Sequence, residues 1–410
     1  MKQTGLYILL VLGLLLASCA PQAAATEPPA TAAPATAAPA TEAPTEAPAT
    51  EAAATEAPQA ACDQPLKIAI IGSMSGTTAS LGEYMTNGVT LAVEQKNAEG
   101  GIQGCQIELV IYDDEADPTK STGLAQKVAT EDNVIAAWAT TNSSTALSDL
   151  PIFEQYKIPQ MTNGTNIDIT KQGSAYIFRA TPAGPAFENT LIDYLVNEAG
   201  YTKFAIIGDN TAYGKGESAY QIDALKANNL EPLAVEEHGA DDKDFTGQLT
   251  KIMAAQPEVL LLADSEVAGG LVAKQARQLG FEGIIAGGVA MGSAKFLETA
   301  GDAAEGVYFT ASYPGNDAND QTKAFAAAFE ERWGIEPEFH NANTYDLTQI
   351  LFIAMENADP LTPENVAAEM HKVCGYQGLQ GEMCVQENGE TLEKGVVGVI
   401  KDGKLTYLLK

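Results

Sequence analysis

The chain is poor in positive charge. Its 410 residues hold 23 Lys and Arg against 54 Asp and Glu, a formal charge of −31 with a pI near 4.3. Phosphate and anionic lipid are bound through Lys and Arg, so neither nucleic acid nor an anionic lipid surface is expected as a partner. The excess acid reads as a solvated surface. Histidine is scarcer still: His238, His340 and His371 lie far apart. With wide cysteine spacings as well, no metal site and no cofactor are expected. There is no G-x-S-x-G elbow and no G-x-x-x-x-G-K-[ST] loop, and Gly72, Gly76 and Gly82 are too widely spaced for a dinucleotide fingerprint. No catalytic residues are expected. Long apolar runs are missing too, since the stretch from Leu6 to Leu16 is too short to span a bilayer.

That stretch, after Met1 and Lys2 and before "LASC" at Leu16 to Cys19, is an export signal. Its ending resembles the lipobox of bacterial lipoproteins, which implies residues 1–19 as signal peptide and Cys19 as the lipidated mature N-terminus. From Ala20 to Ala61 the sequence is almost entirely Ala, Pro, Thr and Glu, with no large apolar residue to repay ordering. Residues 20–61 are therefore expected to be a disordered tether, reaching at most roughly 130 Å at ~3.1 Å per residue. The folded part is expected outside the cytoplasm, held at the cell membrane.

Cys62, Cys105, Cys374 and Cys384 remain, an even number in an exported chain. Three pairings are possible. Cys62–Cys105 and Cys374–Cys384 are preferred, because the first two each precede an apolar strand pattern and the second two flank "GYQGLQG". In the loop-entropy description these closures are worth roughly 4 and 3 kcal/mol.

From Leu66 short apolar runs alternate with amphipathic ones: "LKIAIIG", "IELVIYD", "VIAAWA" and "IPQMT". The pattern predicts βαβ units and a parallel sheet. Met85, Val89, Ala92 and Val93 form one helical stripe. The same grammar restarts with "KFAIIGD", "EPLAVEE", "EVLLLAD", "GIIAGG" and "GVYFTASY", so a second α/β lobe follows. Beyond Tyr313 come two or three helices and a strand pair around the hairpin signal "KDGK". This tail is too small for a third domain and is expected to complete the two lobes.

Ligands of open α/β sheets sit beyond the carboxyl ends of the strands. "TTNSSTALS" at Thr140 to Ser148 lies there, where free N–H groups at a helix start favour an anion. Pro151 is expected to kink or restart that helix. "MTNGTN", "DNTAYGKG" and "DSEVAGG" occupy comparable strand ends, and converging polar loops suggest one cleft.

From Leu66 onward the chain resembles the Leu/Ile/Val-binding family of solute receptors for ABC transporters, with the type I periplasmic-binding-protein fold. The resemblance rests on "GSMSGTTASLGE" from Gly72, "NAEGGIQG" from Asn97, "YDDEADP" from Tyr112, "AYGKG" from Ala212, "DDKDF" from Asp241 and "AEGVYFTASYP" from Ala304, in that order. It implies two doubly wound parallel-sheet lobes joined by a three-strand hinge, residues 62–182 with 314–393 and residues 183–313 with 394–410. The crossings are expected near Thr181–Gly184, Ser312–Pro314 and Leu392–Gly395. It implies a monomer that takes a small-molecule ligand to ABC permease subunits. It further implies that Ser143, Ser144 and Thr145, with Asn163, Gly164 and Thr165, clasp the ligand carboxylate, and that Tyr213 closes from the second lobe. Where amino-acid receptors carry an acid for the ligand ammonium, this chain reads "AGGVAMG" from Ala286. Either Asp264 or Glu266 substitutes, with Asp264 and Ser265 preferred, or the ligand is an amide, urea or a carboxylic acid. A ligand-sensing role in a signalling system stays open.

Overall fold

Fourteen strands and twelve α-helices alternate along the described residues, which are 62, 64–392 and 394–408 of a computed structural model. Cys19, the signal and the tether lie outside them, as does Glu393 in the expected third crossing. The first half runs β1 (Leu66–Gly72), α1 (Ala79–Ala98), β2 (Ile107–Asp113), α2 (Pro118–Thr130), β3 (Val134–Ala139), α3 (Ser143–Tyr156), β4 (Gln160–Thr162), α4 (Asp168–Lys171) and β5 (Ile177–Arg179). These strands make a parallel sheet of order β2-β1-β3-β4-β5. β3 is buried along its whole length, because helices cover both of its faces.

The second half runs α5 (Gly184–Asp193), β6 (Phe204–Asp209), α6 (Ala212–Ala227), β7 (Ala234–His238), α7 (Thr246–Ala254), β8 (Val259–Ala263), α8 (Glu266–Gln278), β9 (Ile284–Gly287), α9 (Ala294–Ala300) and β10 (Tyr308–Ala311). The tail adds α10 (Asp320–Trp333), α11 (Phe339–Asn357), α12 (Pro363–Met370), β11 (Cys374–Gly378), β12 (Gly381–Cys384), β13 (Val396–Lys401) and β14 (Lys404–Tyr407). The second sheet has the order β14-β13-β10-β9-β8-β6-β7, with β13 antiparallel to β10 and to β14. Asp402 and Gly403 turn that last hairpin with φ of 53° and 67°, as "KDGK" requires.

The tail divides between the sheets. β13 and β14 extend the second, whereas α11 and α12 pack on the first, where Leu347, Ile350 and Met370 join Ile68, Met85 and Val89 in one core. The indole N–H of Trp138 on β3 donates to Thr348 Oγ1 on α11 at 3.0 Å, so the largest buried side chain of the first sheet is satisfied by the tail. The chain thus passes between the sheets after β5, after β10 and before β13.

Two features differ from expectation. α3 runs without a restart through Pro151, because the ring removes one donor at an exposed position where water can serve the freed carbonyl. β5, three residues long, is too short to leave a periodic signal. The sulfurs of Cys62 and Cys105 are bonded, as are those of Cys374 and Cys384, the latter pair facing each other across β11 and β12.

Candidate ligand-binding site

In each sheet the strand order reverses beside the first strand of its half: β2 lies on one side of β1 and β3 on the other, and β7 and β8 flank β6 in the same way. Loops leaving the carboxyl ends of such neighbours diverge and leave a crevice. The loops after β1, β3, β6 and β8 face one another and enclose a cavity of about 240 Å³.

The α3 start forms one wall. Asn142 is its N-cap but makes no side-chain cap, and instead donates from Nδ2 to Ser73 Oγ at 3.2 Å. Ser143 Oγ accepts from Asn166 N at 3.3 Å and Ser144 Oγ from Ala212 N at 3.2 Å. Each hydroxyl keeps its proton for another acceptor. Asn163 adds a side chain 3% exposed whose Oδ1 and Nδ2 both lack a partner. Buried amides are normally hydrogen-bonded, and here Oδ1 can accept from, and Nδ2 donate to, a group in the cavity. With unpaired N–H groups at the helix start, the wall is suited to a carboxylate.

The second sheet supplies the opposite wall. Tyr213, one residue into α6, borders the cavity. Burial first, then Glu217, Glu188, Asp209 and Asp264, hold its phenol well above the usual range, so it stays a neutral donor. Asp209 ends β6 and accepts from Thr211 N at 3.0 Å and Ser265 N at 3.2 Å. The lining holds Glu115, Asp209, Asp241 and Glu266, with His340 as the sole group able to carry positive charge. Leu81, Val289 and Ala290 give it an apolar side.

Of the residues singled out in the sequence, Ser143, Ser144, Asn163, Thr165, Tyr213 and Ser265 border this cavity. Three do not. Thr145 Oγ1 turns back to Asn142 O at 3.1 Å. Gly164 lies behind the wall, where a Cβ would meet Ile169 Cδ1 at 2.8 Å. Asp264 points away and binds His238 Nε2 at 2.7 Å, both side chains fully buried. Thr165 is present but committed: its hydroxyl donates to Glu217 Oε1 at 2.6 Å. With one proton so used, its oxygen can only accept, which suits an ammonium and not a carboxylate.

Glu115, Asp209, Asp241 and His340 are the acidic and basic lining residues that sequence reasoning does not assign to the cleft. Glu266 follows Ser265 and was weighed behind Asp264; Asp209 stands in the strand-end motif itself. His340 carries no local signal, because α11 brings it from the tail. The three histidines were read as isolated, yet one ligating atom each of Glu266, Glu338 and His340 lie within 4.8 Å of one another.

A profile of the family described as "Periplasmic binding protein" matches residues 65–404. The leucine-specific-binding protein of Salmonella typhimurium is 28% identical over 354 residues, 85% of this chain and 94% of that one. A leucine-, isoleucine-, valine-, threonine- and alanine-binding protein of Pseudomonas aeruginosa is 26% identical over 330 residues, 79% of this chain and 87% of that one. Among solved structures, a leucine binding protein from Thermotoga maritima superposes with a TM-score of 0.79 at 28% identity, covering 84% of this chain and 97% of that one.

Proposed function

The chain belongs to the periplasmic binding protein family, with the type I fold, and on that premise we propose that it is the extracytoplasmic solute-binding lipoprotein of an ABC importer, capturing a small amino acid between two lobes and delivering it to the permease. The relatives' names make branched-chain amino acids the first candidates. The observation that carries the reading is the pair of unpartnered buried atoms on Asn163, beside two serine hydroxyls with free protons.

The α-carboxylate sits at Ser143, Ser144 and Asn163. Asp209 lines the same cavity, three residues before the Ala212 N–H that Ser144 accepts, and on this reading it faces the α-ammonium with the Thr165 oxygen. Opposite charges a few ångströms apart match a zwitterion, and a buried ammonium without a partner would be costly. The lobes, residues 62–182 with 314–393 and 183–313 with 394–410, open to admit the solute and close through bonds such as Asn166 Nδ2 to Ala212 O at 2.7 Å. A lipid on Cys19 and the tether from Ala20 hold this receptor beside its permease.

Calorimetric titration with amino acids, amides and small carboxylates tests the assignment. An amino acid is expected to bind, and Ser144→Ala to weaken it roughly ten- to hundredfold, the loss of a charge-assisted bond of about 1.5–3 kcal/mol. Unchanged affinity in Ser143→Ala and Ser144→Ala would reduce the hydroxyls to local structure.

A further inference from the structure

The cavity has a second polar end. Besides the hydroxyls and Asn163, its lining holds Asp209, which accepts from Ser265 N, and Glu266 at the start of α8. Glu266 is 3% exposed; Oε2 accepts from Ser80 Oγ at 2.7 Å, and Oε1 is buried with no partner. His340 borders the cavity beside it, and Glu338 stands behind. Glu338 Oε1 accepts from His340 N at 3.1 Å and pairs with Nδ1 at 2.9 Å, which leaves Oε2 buried and unpartnered. Burial first, with the charge of Glu338 adding to it, raises Glu266 to about 7 against the lowering by His340 and Ser80, and a cation at Oε1 would hold the carboxylate ionised.

Burial opposes charge on His340, yet Glu338 and Glu266 outweigh it and raise its pKa. The ring of Tyr84 stacks on His340 with centroids 5.8 Å apart. Its phenol is held far above the usual range by burial and then by Glu338 and Glu266, which reports the same negative field. Buried carboxylate oxygens without donors are costly, and an apolar ligand side chain would leave both as they are.

We propose that Glu266, Glu338 and His340 form a cation subsite, and that the solute carries a second positive group at the end of its side chain, as lysine and ornithine do. This rests on the amino-acid reading above and narrows it away from the branched-chain solutes for which the relatives are named. The ligating atoms of the three residues lie within 4.8 Å of one another, close enough for one cation to reach more than one of them. The terminal ammonium thus donates to Glu266 Oε1, while Ser80 and His340 keep the two carboxylates in place.

L-lysine and L-norleucine differ at the side-chain end by this ammonium, so their comparison isolates the subsite. In calorimetric titrations of the full-length mature protein, lysine or ornithine is expected to bind about tenfold or more tighter than norleucine. Glu266→Gln should bring lysine down towards norleucine and leave norleucine unchanged. Glu338→Gln should do the same more weakly, with thermal melts showing that both variants fold. Leucine or norleucine binding as tightly as lysine, and still weakened by Ser144→Ala, would overturn the subsite and leave the solute-binding reading intact. Equal losses for norleucine and lysine in Glu266→Gln would place the α-ammonium there instead and reject the proposal. Saturation by Ca²⁺ or Zn²⁺ alone, abolished by Glu266→Gln, would reject it in favour of a metal. No binding of any amino acid would overturn both readings.

Discussion

Thr165 Oγ1 donates to Glu217 Oε1 at 2.6 Å, a bond between the loop after β4 and helix α6 of the opposite sheet. Under the proposed opening and closing of the lobes, this bond is one that closure makes. Thr165→Ala leaves a buried carboxylate without its donor, and is expected to weaken solute binding about tenfold. Thr165→Ser keeps the hydroxyl and should retain most of the affinity. Equal calorimetric affinities for Thr165→Ala and the parent would count against the bond as a closure contact.

Glu217 also meets Glu188, a second fully buried carboxyl. A Cβ on Gly288 would fall 2.7 Å from Glu188 Oε1 and 3.3 Å from Glu217 Oε2, so the two groups converge at one point. Burial first, then the charge of Glu217, raises Glu188 well above its ordinary range, and it holds a proton in the folded state. Stability from this group is full below the unfolded-state value of about 4.3 and is lost as pH rises towards the folded value. Glu188→Gln carries its protons at every pH and should flatten that decline. Denaturant unfolding between pH 5 and 8 checks it; an equally steep slope in the variant would refute the assignment.

Asp264 and His238 form a buried ion pair outside the cleft. Burial disfavours charge on His238, but the hydrogen bond and charge of Asp264 outweigh it and raise the imidazole to about 9. Burial raises Asp264 itself to about 6, so the pair is fully ionised between those values. The part due to His238 is present below its unfolded value of about 6.5 and is lost as pH rises through about 9. Asp264→Asn is expected to cost about 3–5 kcal/mol of stability and to lower the His238 titration followed by NMR. A His238 titration that stays near 9 in that variant would contradict the pairing.

Peptide mapping without reduction should recover Cys62 linked to Cys105 and Cys374 linked to Cys384. Loss of the two closures is worth roughly 4 and 3 kcal/mol in the loop-entropy description. A peptide joining Cys105 to Cys374 would be the disproof.

Cys19→Ser should release the protein from membranes, because serine carries no acyl chain and stable anchoring takes two or more at ~0.8 kcal/mol per buried methylene. Fractionation decides it: a serine variant that remains wholly in the membrane pellet would show that Cys19 is not the anchor.

Much of the fold was legible because its signals are local. A strand buried on both faces reads as a continuous apolar run, as "VIAAWA" does for β3, and a helix lying on a sheet repeats its apolar residues every three to four positions, as Met85, Val89, Ala92 and Val93 do. Strand ends follow from those runs, and with them the loops that carry Ser143, Ser144, Asn163 and Tyr213. β5 was missed because three residues complete no period.

By itself the sequence determined the two-sheet α/β architecture, the place of the polar loops at strand ends and the hydroxyl-rich start of α3, all set by the order of residues along one segment. The tertiary structure alone decided which acids line the cavity. Asp264, Ser265 and Glu266 are consecutive, yet a buried histidine from β7 draws Asp264 out of the cleft, Ser265 donates its backbone N–H to Asp209, and Glu266 accepts from Ser80. His340 arrives beside Glu266 because α11 packs against α1 of the first sheet. A carboxylate takes its direction from whichever buried donor or cation lies nearest in space, and that neighbour is far away in the chain.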